Sequence, residues 1–138
     1  MKEAIIHTDG GARGNPGPAG IGVVIELDGE KKEYSEAIGK ATNNVAEYSA
    51  VVFALKKAKS LFGKEKSREY TIKIHSDSEL LVRQMNGEYK MKDENLKDLF
   101  VDVWNLKQDF KNVSFTHIPR EKNKDADALV NKALDTLI

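Results

Sequence analysis

Cysteine is absent from the 138 residues. That removes disulfide frameworks, thiolate metal sites and cysteine nucleophiles together. No apolar run approaches the roughly 20 residues that a bilayer crossing requires. The opening MKEAIIHTDGG turns polar too soon to read as a signal peptide. The expectation is a cytoplasmic chain with no membrane partner. No repeat, linker or low-complexity tract interrupts the sequence, so residues 1–138 read as a single domain large enough for one hydrophobic core. Neither sign of charge prevails, with 22 basic residues against 22 acidic ones. A strong global field for gripping polyanions is therefore missing. Chemistry on phosphates stays open, because bound divalent cations can be the largest positive charges in such a site.

What is present is a change of hydrophobic period. Residues 3–9 and 19–27 alternate as strands do and flank GGARGNPGP, which reads as a loop dense in glycine and proline. Residues 31–38 follow a turn at Asp28-Gly29, which makes the three strands an antiparallel meander. Tyr48, Val52, Leu55 and Phe62 then recur at helical spacing and predict an amphipathic helix over 45–62. A strand over 70–76 and a short helix from Ser78 to Asn86 closed by Gly87 come next. After them are expected a helix over 94–109, a strand over 113–118 and a helix over 125–137. The order βββ-α-β-α-α-β-α implies an α/β protein with a mixed sheet flanked by helices.

Four acids stand where these elements change. Asp9 closes the first strand, Glu47 opens the long helix, Asp77 ends the fourth strand, and Asp127 lies in the first turn of the last helix. Hydrolysis of a phosphodiester at a two-metal site needs carboxylates from distant segments, converging on cations about 3.5–4 Å apart. Each acid also has a purely structural explanation. Asp9 suits a turn before two glycines. Glu47 completes a capping box with Asn44 as N-cap. Asp77 is a plausible N-cap, and Asp127 favours a helix dipole. Spacing alone does not bring the four together.

The motifs around these acids carry a resemblance. Thr8-Asp9-Gly10-Gly11-Ala12-Arg13-Gly14-Asn15-Pro16-Gly17-Pro18-Ala19-Gly20-Ile21-Gly22 resembles the opening signature of type 1 ribonucleases H. Thr42-Asn43-Asn44-Val45-Ala46-Glu47, Ser76-Asp77-Ser78, and Asn123 followed by Ala126-Asp127-Ala128-Leu129 are similar to that family's later motifs, in family order. The resemblance implies a ribonuclease H-like fold, a five-stranded mixed sheet with helices on both faces. It implies that Asp9, Glu47, Asp77 and Asp127 are catalytic and bind two Mg²⁺ ions, with Mn²⁺ as a substitute. The RNA strand of an RNA–DNA hybrid would then be cut to 5′-phosphate and 3′-hydroxyl ends, by a monomer. It further implies that Gly10, Gly11 and Arg13 approach the RNA strand, that Asn15, Asn43 and Asn44 touch bases and sugars, and that Thr42 helps hold a DNA phosphate. The 2′-hydroxyls in the wide minor groove of a hybrid give such groups something to distinguish. Whether duplex RNA is also a partner is left open.

The sequence departs from the family pattern in two places. Residues 86–96 contain only Lys90 and Lys92 against three acids and no Trp, so the family's basic protrusion is expected to be missing. An alternative basic surface is Lys56, Lys57, Lys59, Lys64, Lys66 and Arg68, although a solvated helix face explains it better. The loop that carries a catalytic His in many members reads Thr116-His117-Ile118-Pro119-Arg120 here. His117 falls in the strand pattern, and Arg120 is the candidate to meet the phosphate, although it cannot relay protons near neutral pH. His7 and His75 receive no role, and Trp104 reads as core or surface stripe. The competing functions are a catalytically silent hybrid- or duplex-RNA-binding module and a relative acting on DNA junctions or in strand transfer. Four intact acids argue against the first, since carboxylates gathered without cations repel one another. No P-loop is present.

Overall fold

The computed structural model describes residues 2–137. Strands β1 (Lys2–Ala12), β2 (Gly17–Leu27), β3 (Glu30–Ala41), β4 (Tyr70–Ser76) and β5 (Asn112–His117) form one sheet in the order β3-β2-β1-β4-β5. The first three pair antiparallel, as the short turns require, while β1–β4 and β4–β5 are parallel. Helices α1 (Asn43–Phe62), α3 (Glu79–Met85), α4 (Glu94–Lys107) and α5 (Lys124–Asp135) match the expected order. A four-residue helix α2 (Lys64–Ser67) and a 3-10 turn at Arg120–Lys122 are additional.

Strand alternation sorts the sheet into two faces. Ala4, Ile6, Val23, Ile25, Ile72 and Ile74 are buried on one face, beneath Tyr48, Val51 and Leu55 of α1 and with Leu96 and Val103 of α4. Gly22, one residue out of phase with Val23, belongs to the other face, where α5 lies: a Cβ there would strike the Ala126 carbonyl. Helices thus cover both faces, as the resemblance implied. Trp104 is on the outer side of α4 and 53% exposed, which decides for the surface stripe.

The segment GGARGNPGP differs from expectation. β1 continues through Gly10, Gly11 and Ala12, and β2 starts at Gly17, so only Arg13–Pro16 turns. These glycines are strand residues that let helices come close. A Cβ on Gly10 would overlap the backbone of Ala46 in α1, and one on Gly22 the backbone of α5. The second difference is at α1, which begins at Asn43 with Thr42 as N-cap: the Thr42 Oγ1 accepts the Val45 N–H at 3.2 Å. Asn44 is therefore inside the first turn, and there is no Asn44–Glu47 capping box.

Only the eight residues from Asn86 to Asp93 separate α3 from α4, and no protrusion is built there. The alternative basic surface does not form a unit. Lys57 stands over the Tyr34 ring at 5.0 Å, whereas Lys59 pairs with Asp109 of α4 at 3.1 Å. At 1.5 Å rise per residue, α1 also carries its lysines about 20–24 Å from Asn43.

Close helix approach at the glycines makes a stability prediction. Gly22→Ala drives a methyl into the Ala126 carbonyl and is expected to destabilise by about 2–3 kcal/mol in urea unfolding. Gly11→Ala, whose Cβ would meet Val130 Cγ1 at an ordinary 3.7 Å, is expected to change stability by less than about 1 kcal/mol. Equal losses in the two variants would contradict the packing argument.

Candidate metal centre and active site

The parallel β1–β4 ladder ends at Thr8–Ser76, and beyond it the next residue of each strand is an acid, Asp9 and Asp77. α1 enters from the side, brought close by Gly10. Asp9, Glu47 and Asp77 each offer a carboxylate oxygen within 4.8 Å of the other two. The Gly10 N–H is shared between Asp9 Oδ1 at 2.9 Å and Glu47 Oε1 at 2.8 Å. Gly10 was expected to turn its backbone toward RNA. Its N–H is the donor that fixes two acids.

Asp127 lies in the first turn of α5 and lines the same cavity of about 430 Å³, but stands outside the three-acid cluster. It acts at a distance, since its charge helps raise the Asp9 pKa. Burial, then the charges of Asp77 and Asp127, push the Asp9 carboxyl up to about 7. Burial and the charges of Asp9 and Asp77 raise Glu47 well above the ordinary range. Desolvation and like-charge repulsion both disfavour the ionised acids. A divalent cation removes that penalty, and carboxylate oxygens are the donors a hard cation takes.

The rim of the cavity is also ordered. Asn43 Oδ1 accepts the Ala12 N–H at 2.9 Å, and Asn15 Oδ1 accepts the Asn43 N–H at 2.9 Å. The two amides latch the β1–β2 turn to the start of α1, and each uses its oxygen to do so. Their NH₂ groups have no protein acceptor among the described residues. Arg13 lines the cavity and pairs with Asp135 of α5 at 2.6 Å. Gly11 and Arg120 line it too. Asn15, Thr42 and Asn44 are not among its lining residues; Thr42 is the N-cap and Asn44 lies in the exposed first turn of α1.

His117 is the last residue of β5, exposed and not part of the lining. His7 and His75 stack edge to face at paired positions of β1 and β4, 5.0 Å between centroids, also outside it. The structural explanation for Asp77 fails, because Ser78 caps α3 by accepting the Leu81 N–H. Four lining residues, Ala12, Val130, Asn131 and Leu134, went unread as site residues in the sequence. Val130 and Asn131 follow Asp127 by about one helical turn, and the i, i+4 spacing of Asn131 was the available signal.

The family profile described as reverse transcriptase-like matches residues 7–133. A ribonuclease HI of Halobacterium salinarum is 42% identical over 131 residues, which make up 94% of this chain and 63% of that protein. A bifunctional protein of Mycobacterium tuberculosis is 39% identical over 136 residues, 96% of this chain and 36% of that protein, so this chain spans about a third of its length. LC11 ribonuclease H1, isolated from compost by a metagenomic approach, has a crystal structure in complex with an RNA/DNA hybrid. This chain matches it with a TM-score of 0.91 at 50% identity, over 97% of this chain and 98% of that one. Within the reverse transcriptase-like group, the chain belongs to the type 1 ribonuclease H family.

The raised acids set a pH dependence for the metal-free protein. Below the ordinary carboxylate value of 3.8, Asp9 holds its proton in the folded chain and largely in the unfolded one. Between about pH 4 and 7 the unfolded chain has released it while the folded one retains it, so stability falls as pH rises and levels off above 7. Asp9→Asn lacks this loss. In EDTA it is expected to melt level with the wild type at pH 4 and roughly 3–5 °C higher at pH 7.5. Divalent cation, binding the folded carboxylates, narrows the gap. Melting curves across pH with a constant gap would contradict the repulsion.

Proposed function

We propose that this chain is a divalent-cation-dependent endonuclease that hydrolyses the RNA strand of RNA–DNA hybrids, leaving 5′-phosphate and 3′-hydroxyl ends. The observation that carries the reading is the cluster of Asp9, Glu47 and Asp77 oxygens in a cavity that Asn43 also lines. The hybrid bound by LC11 ribonuclease H1 supports the choice of substrate.

Asp9, Glu47 and Asp77, with Asp127 from the rim, would hold a pair of Mg²⁺ ions, for which Mn²⁺ can substitute. When bound, such ions activate water near neutral pH and stabilise charge on the leaving oxygen. The protein's own part is placement. Gly10 orients two of the acids before any cation arrives, so little reorganisation is left for the reaction itself. Asn15 and Asn43 present NH₂ groups, which match the acceptors of a minor groove and its 2′-hydroxyls. Gly11 leaves room for a backbone to pass, Asn44 is exposed beside these amides, and the Thr42 hydroxyl can donate to a DNA-strand phosphate. Arg13 meets the other phosphates after exchanging its exposed pairing with Asp135.

Arg120, with no acidic partner among the described residues, offers a planar fork to the scissile phosphate. It takes over the electrostatic part of the usual loop histidine and none of its proton transfer. The chain works as a single domain and a monomer in the cytoplasm. No helix among the described residues is long and apolar enough to cross a membrane.

Cleavage of end-labelled hybrid, duplex RNA and duplex DNA, each with Mg²⁺, Mn²⁺ or EDTA, tests the reading. Cutting of the hybrid's RNA strand alone is expected among DNA-containing substrates, and EDTA abolishes it. Duplex DNA cut as fast as hybrid would overturn the specificity. Hybrid binding without cutting would mean a silent binding module. Asp9→Asn is expected to lower kcat by roughly a thousandfold or more. Arg120→Ala is expected to lower it by about 10- to 100-fold, the scale of a lost charge-assisted hydrogen bond. An unchanged rate in Arg120→Ala would remove that residue from the site.

A further inference from the structure

We propose that Asn123 is a positioning residue: its single NH₂ group brackets the open ends of β1 and β4 and holds the Asp77 carboxylate in register with Asp9. The inference rests on the function proposed above and names a residue outside the acid cluster.

Asn123 is 1% exposed and lies 46 residues from Asp77 in sequence. Its Nδ2 donates to the Thr8 carbonyl at 2.9 Å and to Asp77 Oδ2 at 3.2 Å. Both partners are acceptors, so the orientation of the amide follows from chemistry: only the NH₂ end can face them. The Thr8 carbonyl sits where the β1–β4 ladder stops, immediately before Asp9. One donor group thus grips the backbone that carries the first acid and the side chain of the third. Asp77 keeps Oδ1 without a protein donor among the described residues.

A second observation shows that this is not a helix cap. Asn123 occupies the N-cap of α5, where its Oδ1 would ordinarily accept an N–H from the first turn. No such bond forms, and Oδ1 is buried without a partner. A good capping residue has given up its cap to reach across the sheet end. Such local violations of helix chemistry are expected at functional sites, where a neighbouring group outweighs the local optimum. The backbone still serves the helix, since the Asn123 carbonyl accepts the Asp127 N–H at 3.1 Å. Asn123 therefore connects three of the four acidic segments: it donates toward Asp9 and Asp77 with its side chain and starts the turn that carries Asp127.

The test compares wild type, Asn123→Ser, Asn123→Ala and Val103→Ala. Serine restores an N-cap but is too short to bridge Thr8 and Asp77. Val103, buried in α4 away from the site, supplies a destabilised control. Mn²⁺ binding without substrate is read by titration calorimetry, hybrid cleavage as kcat and KM, and folding by melting temperature. Both Asn123 variants are expected to bind Mn²⁺ about 10-fold more weakly or worse and to lose roughly 10- to 100-fold in kcat, the usual effect of removing a group that orients a metal ligand. The hybrid KM stays within about 3-fold, because substrate grips other residues. Val103→Ala melts lower yet keeps wild-type Mn²⁺ affinity and kcat. If the Asn123 variants fold and behave like Val103→Ala in both, or if only the uncapped Asn123→Ala is impaired, the bracket is wrong. A wild type that binds Mn²⁺ but cuts no hybrid would refute the proposed function and leave the calorimetry to decide Asn123. A wild type that binds no Mn²⁺ would refute both.

Discussion

Carboxylates within 4.8 Å of one another repel, and bringing them out of water makes the repulsion worse. Everything around the site can be understood as the means of holding them there regardless. The Gly10 N–H, accepted by both Asp9 and Glu47, is the central contact, and it exists only because α1 lies nearly against β1. That approach requires a residue without a Cβ at position 10. The apolar face of the sheet, packed under Tyr48, Val51 and Leu55, supplies the free energy that keeps α1 in place against the electrostatic cost.

The rim is built on an economy of hydrogen bonds. Asn15 and Asn43 use their oxygens to tie the β1–β2 turn to α1, which leaves their NH₂ groups without a protein acceptor among the described residues. Gly10 and Asn123 use donors to restrain acids, which leaves carboxylate oxygens facing the cavity. Carboxylate oxygens and amide groups are therefore held by separate donors and acceptors of the protein. A neutral chain can work this way, since its local arrangement of dipoles and acids replaces a global basic field. The splayed lysines of α1 agree with that: Lys57 covers aromatic rings and Lys59 pairs with Asp109.

The element order was legible because hydrophobic period is a local property, and the strands and long helices fall within a few residues of expectation. The glycines were misread for a reason that is equally physical. Glycine-rich sequence normally signals a turn, but Gly10 and Gly11 are strand residues, and Gly10 is crowded by a helix that starts more than thirty residues along the chain. The same applies to Asp77, whose apparent capping role belongs to Ser78. Asn123 had no readable role for a related reason: its side chain bonds to β1 and to Asp77, far away in sequence.

By itself the amino-acid order determined the alternation of strands and helices, the absence of thiol chemistry and membrane-spanning helices, and which four acids stand at element ends. Those are consequences of composition and short-range pattern. Only the tertiary structure decided that three of the acids cluster while Asp127 lines the same cavity outside the cluster, and which amides bond through oxygen and which through nitrogen. Convergence of segments 37 and 46 residues apart depends on how closely two helices can approach a sheet, and that distance is set by packing.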